Sequence, residues 1–169
     1  CVFVSDREGH DEIWLHDFRT DSETVLTASS PEERAARKDV STYTLQPSWP
    51  IMSPDGSQVA YRVLYPSQGP NKQSIYVVPS GGGEPARLCD DCGGPTAWAA
   101  DGRQILFEPG LPRTPINLLQ LASGDQKTIL AHPSYSLHQA SFSPDDRWVA
   151  FYADLGQGRM RVYVAPYGD

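Results

Sequence analysis

The chain has 169 residues, of which 14 are basic and 21 acidic, and its formal net charge is −7. A nucleic-acid groove needs clustered lysine and arginine, and no apolar run approaches the roughly 18 residues of a membrane-spanning helix. We therefore expect neither a nucleic-acid partner nor membrane insertion. The 14 glycines and 15 prolines interrupt the chain too often for an all-α bundle.

The N-terminal part begins with strand signals and then changes character. Phe3-Val4-Ser5, Ile13-Trp14-Leu15 and Thr24-Val25-Leu26 are short runs rich in β-branched and aromatic residues, as half-buried strands are. The connection after them contains Ser30-Pro31-Glu32-Glu33, a capping box that predicts a short helix over approximately residues 30–39. Such an insertion is a candidate contact element, with a loop stiffener as the alternative.

A turn motif recurs further along the chain. It occurs as Met52-Ser53-Pro54-Asp55-Gly56, Trp98-Ala99-Ala100-Asp101-Gly102 and Phe142-Ser143-Pro144-Asp145-Asp146. Proline presets a negative φ and glycine accepts a positive φ in such turns, and the aspartate can accept a hydrogen bond from a nearby backbone N–H. We therefore predict a structural role for the turn residues Asp55, Gly56, Asp101, Gly102 and Asp145.

The repeat predicts the fold. Apolar runs follow each turn, so that each unit supplies up to four short strands at a period near 45 residues, which is typical of β-propeller blades. We predict an all-β propeller of about four blades, two complete and two partial, made of four-stranded antiparallel sheets. The blades cover approximately residues 1–28, 47–89, 95–131 and 138–169, and we expect them to be a segment of a larger propeller. A stripe of aromatic residues is expected in the packing between blades and not in a carbohydrate-binding platform; it consists of Trp14, Trp98 and Trp148 with Tyr61, Phe107 and Phe151.

Two stretches resemble a known repeat family. Phe3–Gly9 reads FVSDREG and Ser53–Gly56 reads SPDG, and both are similar to the TolB-type propeller repeat, also called the WD40-like PD40 repeat. The sequence departs from that repeat at Met52, at Ala99-Ala100 and at Asp146, where the repeat has Trp, Ser-Pro and Gly. The resemblance implies an all-β propeller used in protein interaction, and a periplasmic or other extracytoplasmic location.

Three functions are open on this basis. We favour a non-catalytic interaction or sensory propeller with a protein partner, because the sequence has no G-x-S-x-G elbow, Walker loop or H-E-x-x-H motif. The alternatives are a structural scaffold, or the propeller part of a prolyl-oligopeptidase-like peptidase or of a lyase. A lyase would need histidines that converge on the central channel. We accordingly predict no catalytic, cofactor-binding or metal-binding residue.

Candidate partner contacts lie on the predicted loops, where function usually concentrates. One group belongs to an acidic loop between the first two strands, and the other to the predicted helix. A calcium loop would need six or more oxygen ligands in a fixed arrangement, so solvated charge is the simpler interpretation of the acidic loop. The candidate contacts are Asp6, Arg7, Glu8, Glu32, Arg34 and Arg37.

Cysteine and histidine give no metal pattern. Cys89 and Cys92 have the CxxC spacing, but no second ligand pair follows, and Gly93-Gly94-Pro95 excludes the helix that a thioredoxin-type motif opens. We expect a pair on a loop, reduced or locally bridged, without metal. His10 and His16 could approach each other across two strands, but surface histidines are the simpler interpretation.

In a propeller segment that is not closed, we expect the first and last blades to leave apolar faces and strand edges uncovered. Val2, Val4, Val162 and Val164 lie at or beside those edges. We therefore expect self-association, most simply as a two-fold homodimer that brings open blade faces together. The alternative is a strained four-blade closure in which the first and last units touch.

Overall fold

The computed structural model describes residues 1–7, 9–27, 46–65, 72–110 and 114–168, and there the chain forms fourteen strands. They are β1 (Val2–Ser5), β2 (Glu12–Asp17), β3 (Ser22–Val25), β4 (Gln46–Met52), β5 (Gln58–Leu64), β6 (Gln73–Pro79), β7 (Ala86–Asp90), β8 (Gly94–Trp98), β9 (Gln104–Glu108), β10 (Ile116–Gln120), β11 (Gln126–Leu130), β12 (Ser136–Phe142), β13 (Trp148–Asp154) and β14 (Met160–Pro166).

The strands form four antiparallel sheets in chain order, which we name blades I to IV. Blades II (β4–β7) and III (β8–β11) have four strands, and blades I (β1–β3) and IV (β12–β14) have three. The predicted all-β arrangement of two complete and two partial blades is thus confirmed. The predicted helix at about 30–39 lies outside the described residues, and within the described ranges no helix is long and apolar enough to cross a membrane.

Successive side chains of a strand point to opposite faces of its blade, so a blade between two others buries apolar residues on both faces. In β5, Tyr61 packs in the layer between blades I and II, whereas the adjacent Ala60 packs between blades II and III. In β9, Phe107 faces blade II and the adjacent Leu106 faces blade IV. One apolar layer therefore lies at each blade junction.

The first strands of blades II, III and IV (β4, β8 and β12) pack next to one another. Each contains a break in register opposite its partner strand, of the kind that a β-bulge produces. Two of these breaks hold a non-glycine residue with a left-handed backbone, Trp49 at φ 54° and Gln139 at φ 49°. We call β4, β8 and β12 the inner strands. A bulge changes the direction in which side chains leave a strand, so side chains of the inner strands point in directions that a regular strand would not allow.

Cys89 and Cys92 form a disulfide at the end of blade II. The expectation that both lie on a loop was wrong for Cys89, which belongs to β7 and pairs with Ile75. The strand extends past the apolar run because Asp90 still pairs with Ser74. Both sulfurs lie in the layer between blades II and III, so the pair is part of the core.

Candidate functional site

A groove of about 360 Å³ lies between the inner strands of blades II, III and IV. Its walls include Trp49, Pro50, Pro95, Thr96 and Gln139. Both left-handed residues of the inner strands are therefore wall residues of the same groove. This convergence makes the groove the candidate functional site.

Trp49 combines a strained backbone with an exposed indole. Bulky residues rarely adopt its φ of 54°, and its side chain is 46% exposed. The ring lies directly against Gly94, since a Cβ built on that glycine would be 2.2 Å from Cε3 of the indole. Only a residue without a side chain at position 94 leaves room for the ring.

Arg62 of β5 stacks on the same indole. Its Cζ lies 4.2 Å from the centre of the Trp49 ring, within cation–π range, and its Nε donates a hydrogen bond to Oγ of Ser48 at 2.9 Å. Burial lowers the pKa of Arg62, and the nearby carboxylate of Glu108 opposes that shift. Arginine nevertheless stays charged in proteins, so the site offers a flat aromatic ring beside a half-buried cation.

Glu108 positions the part of the groove wall that belongs to blade IV. This residue is buried, and its position in the repeat of blade III corresponds to that of Arg62 in blade II. Its Oε1 accepts a hydrogen bond from the backbone N–H of Gln139, and its Oε2 lies 3.0 Å from Nδ1 of His138. Buried carboxylates require such partners. Glu108 therefore fixes the left-handed backbone at Gln139.

The aspartates of the three repeated turns accept the hydrogen bonds predicted for them. In each case the donor is the backbone N–H two residues further along, at 2.8 to 3.2 Å from Asp55, Asp101 and Asp145. Gly56 and Gly102 have φ values of 73° and 69°, as these turns require. The geometry supports a structural role for the five residues, which stays a prediction.

Asp55→Asn should change how stability depends on pH. Hydrogen bonds from the hydroxyl of Ser53 and then from Ser57 lower the pKa of Asp55 from its ordinary 3.8 to about 2. The unfolded chain takes up this proton at a higher pH than the folded chain does. The stability from Asp55 is therefore complete above about pH 4 and is lost as the pH falls through about 2.

We expect the difference in urea midpoint between the wild type and Asp55→Asn to be constant above about pH 4 and to shrink below it. Asp11→Asn is the charge-matched control, because Asp11 is exposed. The same trend in both variants would assign the effect to net charge and not to the turn.

Two departures from the repeat compensate for each other. Ala100 stands where the other two turns have proline, and Asp146 where they have glycine. The backbone N–H of Ala100, which proline would lack, donates to both carboxylate oxygens of Asp146, at 3.0 and 2.8 Å. Asp146 also keeps the left-handed backbone of the glycine, with φ 54°. The pair joins the turn of blade III to the turn of blade IV.

The substitutions Ala100→Pro and Asp146→Gly should therefore be non-additive. Either change alone removes the same hydrogen bond, so we expect a coupling energy of about 1 kcal/mol in a double-mutant cycle. Denaturant midpoints of the four proteins measure it. Strict additivity would show that the two turns are energetically independent.

The acidic loop is tied to its own blade. Arg7 pairs with Glu23 of β3, and its Cζ lies 4.0 Å from the centre of the Trp14 ring. The backbone carbonyl of Asp6 accepts a hydrogen bond from the N–H of Gly9 at 2.7 Å. The other candidate contacts lie outside the described residues; they are Glu8, Glu32, Arg34 and Arg37.

His10 and His16 each have a carboxylate partner. Nε2 of His10 lies 2.7 Å from Oε1 of Glu12, and Nδ1 of His16 lies 3.5 Å from Oε1 of Glu23. In the described part of the chain, no three histidine, cysteine or acidic side chains form a group that could hold a metal ion.

Sequence reasoning missed Trp49 and misplaced Trp148. Trp49 lies outside the recurring turn, and the two prolines of β4, Pro47 and Pro50, were local signs of an irregular strand. Trp148 was expected between blades, but it is 46% exposed. The adjacent Val149 faces blade III, so alternation turns Trp148 to the outer face of blade IV.

No protein-family profile and no curated protein matches the sequence. Solved structures do match. TolB from Acinetobacter baumannii gives a TM-score of 0.74 at 18% identity, over 98% of this chain and 38% of that chain. An oligogalacturonate lyase in complex with manganese gives a TM-score of 0.65 at 18% identity, over 93% of this chain and 41% of the lyase chain. A prolyl endopeptidase gives a TM-score of 0.64 at 17% identity, over 95% of this chain and 25% of the endopeptidase chain. The chain spans less than half the length of these proteins.

At these identities the likeness shows the fold, and it confirms the predicted β-propeller. Membership of the PD40 repeat family stays a prediction, because no family profile matches. The similar structures include enzymes as well as TolB. Function has to be argued from the site, since one fold serves many functions.

Proposed function

We propose that the chain is a non-catalytic protein-interaction module, which binds an extended segment of a partner protein in the groove around Trp49. The observation that carries the proposal is the exposed indole of Trp49, held on a left-handed backbone between Gly94 and Arg62.

The placement of Trp49 is unfavourable for the isolated chain. A left-handed backbone at such a residue costs on the order of 1–3 kcal/mol, and the exposed 46% of the side chain gains nothing from burial. A bound partner would cover that surface. Tryptophan and arginine are also among the residues that most often dominate the binding energy of protein interfaces.

The chemistry of the groove favours a particular kind of segment. Pro50 and Pro95 provide apolar walls without backbone N–H groups, while Thr96 and Gln139 add polar side chains. The charge of Arg62 favours a carboxylate on the partner. We therefore expect an extended peptide with an apolar residue for the indole and an acidic residue near it.

The same proposal includes an extracytoplasmic location. The disulfide between Cys89 and Cys92 supports an oxidising compartment, as the repeat resemblance implies. The peptidase and lyase alternatives rest on fold likeness alone. A purely structural scaffold would not require an exposed tryptophan on a left-handed backbone, as Trp49 is.

A phage library of random short peptides, selected on the purified chain, tests the proposal. We expect the enriched peptides to bind the wild type and to lose roughly 30-fold in affinity with Trp49→Ala. Gly94→Ala should weaken binding as well, because its new Cβ would displace the ring.

Trp148→Ala is the matched control, since Trp148 has the same exposed fraction of 46% and lies on blade IV. Its affinity should equal that of the wild type. Undiminished binding by both groove variants would overturn the proposal, and so would a selection that yields no peptide able to bind the chain in solution.

A further inference from the structure

The connection between β7 and β8 links the disulfide to the Trp49 groove. Cys89 lies in β7 and Gly94 begins β8, and the bond from Cys89 to Cys92 lies within this short stretch of chain. Gly94 is the residue against which the indole of Trp49 lies. The support of the indole therefore follows the disulfide almost directly in the sequence.

The two glycines after Cys92 are in close contact with other parts of the molecule. A Cβ built on Gly93 would lie 1.7 Å from the backbone oxygen of Glu108, and a Cβ built on Gly94 would lie 2.2 Å from Cε3 of Trp49. Closely packed interiors transmit displacements, because they contain little free space. A shift of Cys92 therefore changes both contacts.

The disulfide closes a loop too short to act mainly on the stability of the whole fold. Its cysteines are three positions apart, and the stabilisation that a disulfide gives through the unfolded chain grows with loop length. The surrounding layer also contains larger apolar side chains, among them Ile75, Ile105 and Phe107, all completely buried. We therefore expect the blades to stay folded without this bond, and the main effect of the bond to be local.

The two cysteines are held unequally once the bond is broken. Cys89 stays paired with Ile75 of β6. Cys92 lies in the connection, which is attached to blade II by an exposed ion pair of Asp91 with Lys72 at 2.8 Å and by a hydrogen bond of 3.3 Å from the N–H of Ile75 to Sγ of Cys92. Exposed ion pairs contribute little. Two thiols need more room than a disulfide, and the packed layer around the buried Cys92 resists added volume, so Cys92 is the residue that moves.

We propose that the disulfide between Cys89 and Cys92 is a redox control of the Trp49 groove. In the oxidised chain the bond holds Gly94 against the indole, and reduction by a dithiol releases Cys92 and withdraws Gly94 from the ring. An oxidising compartment keeps the bond closed, so the groove is complete there and incomplete in a reducing one. The control of peptide binding rests on the proposed function, whereas the control of the position of Trp49 does not.

The exchange is balanced with the dithiol as the reductant. One thiolate of the dithiol attacks Sγ of Cys89, the more exposed cysteine of the pair at 9%. A mixed disulfide forms, and Cys92 leaves as a thiolate. The second thiol of the reductant then breaks the mixed disulfide and releases Cys89. Two electrons and two protons pass from the dithiol to the chain, and the dithiol becomes a disulfide.

Nitrogen–proton correlation spectra of the complete chain, oxidised and reduced, test the proposal. The chain is reduced with dithiothreitol in urea and refolded with the reductant present, and titration of free thiols confirms the reduction. We expect the indole resonance of Trp49 to shift while that of Trp148 on blade IV stays in place. The affinity for the selected peptide should fall about 10-fold, and reoxidation should restore both.

A chain with both Cys89→Ala and Cys92→Ala is the matched control. It should resemble the reduced wild type with or without dithiothreitol. Cys1→Ser, made in the wild type, removes the exposed free cysteine as a second target of the reductant and should leave the effect of reduction unchanged.

The outcomes separate this proposal from the proposed function. An unshifted Trp49 resonance in the reduced, folded chain would overturn the redox control. Loss of the whole fold on reduction, seen by circular dichroism, would also contradict it, because the bond would then support the blades. A shifted resonance with unchanged peptide affinity would contradict the control of binding. If no peptide binds either form, the proposed function fails, and the resonance alone decides whether the disulfide positions Trp49.

Discussion

Phe107→Ala should lower the free energy of unfolding by about 3–5 kcal/mol. Phe107 is completely buried in the layer between blades II and III, where it packs with Ile75 and Trp98. Truncation removes the apolar contacts of the ring and leaves a cavity that the two sheets cannot fill without moving. Urea denaturation followed by circular dichroism measures the loss.

Phe18→Ala is the control for that experiment, since the same side chain is 77% exposed there. We expect it to change stability by no more than about 0.5 kcal/mol. Equal effects of the two substitutions would mean that blades II and III do not pack through Phe107.

Gly93→Ala should cost more than about 4 kcal/mol or prevent folding, which would place it among the exceptional substitutions. Gly93 has φ 70°, and a Cβ built on it would lie 1.7 Å from the backbone oxygen of Glu108. No side-chain rotation relieves a clash with backbone. The alanine would therefore push the start of blade III away from the end of β9.

Gly102→Ala is the control that has the cost of the left-handed backbone without the clash. Its φ of 69° is nearly the same, but no atom lies within 4 Å of the added Cβ. We expect it to cost about 1–2 kcal/mol from the backbone alone. Similar losses at both glycines, measured by urea denaturation and by soluble yield, would contradict the close approach of Gly93 to Glu108.

The parts of the structure that could be predicted are those set by local sequence. The turns at Asp55 and Asp101 follow from residues within five positions of each other, because each turn closes on its own backbone. The burial of Tyr61 and Phe107 follows from alternation along a strand combined with the repeat. Turn residues and alternation along a strand can be recognised without knowing which blades are neighbours.

The groove could not be predicted in this way, because contacts between blades determine it. Trp49 of blade II has its ring against Gly94 of blade III, and Gln139 of blade IV is held by Glu108 of blade III. These partners are 30 or more residues apart, so no local pattern connects them. The same holds for Asp146, which replaces the glycine of the repeat. Its hydrogen bond from the N–H of Ala100, 46 residues away, explains this replacement.

The central claim, that a partner segment binds at Trp49, is tested most directly by the indole N–H resonances of the four tryptophans. A nitrogen–proton correlation spectrum is recorded while the strongest peptide from the selection is added, and Trp49→Phe and Trp148→Phe assign the two exposed indoles. We predict that the Trp49 resonance shifts to saturation while the Trp148 resonance stays in place. A shift of the Trp148 resonance with Trp49 unchanged would contradict the claim.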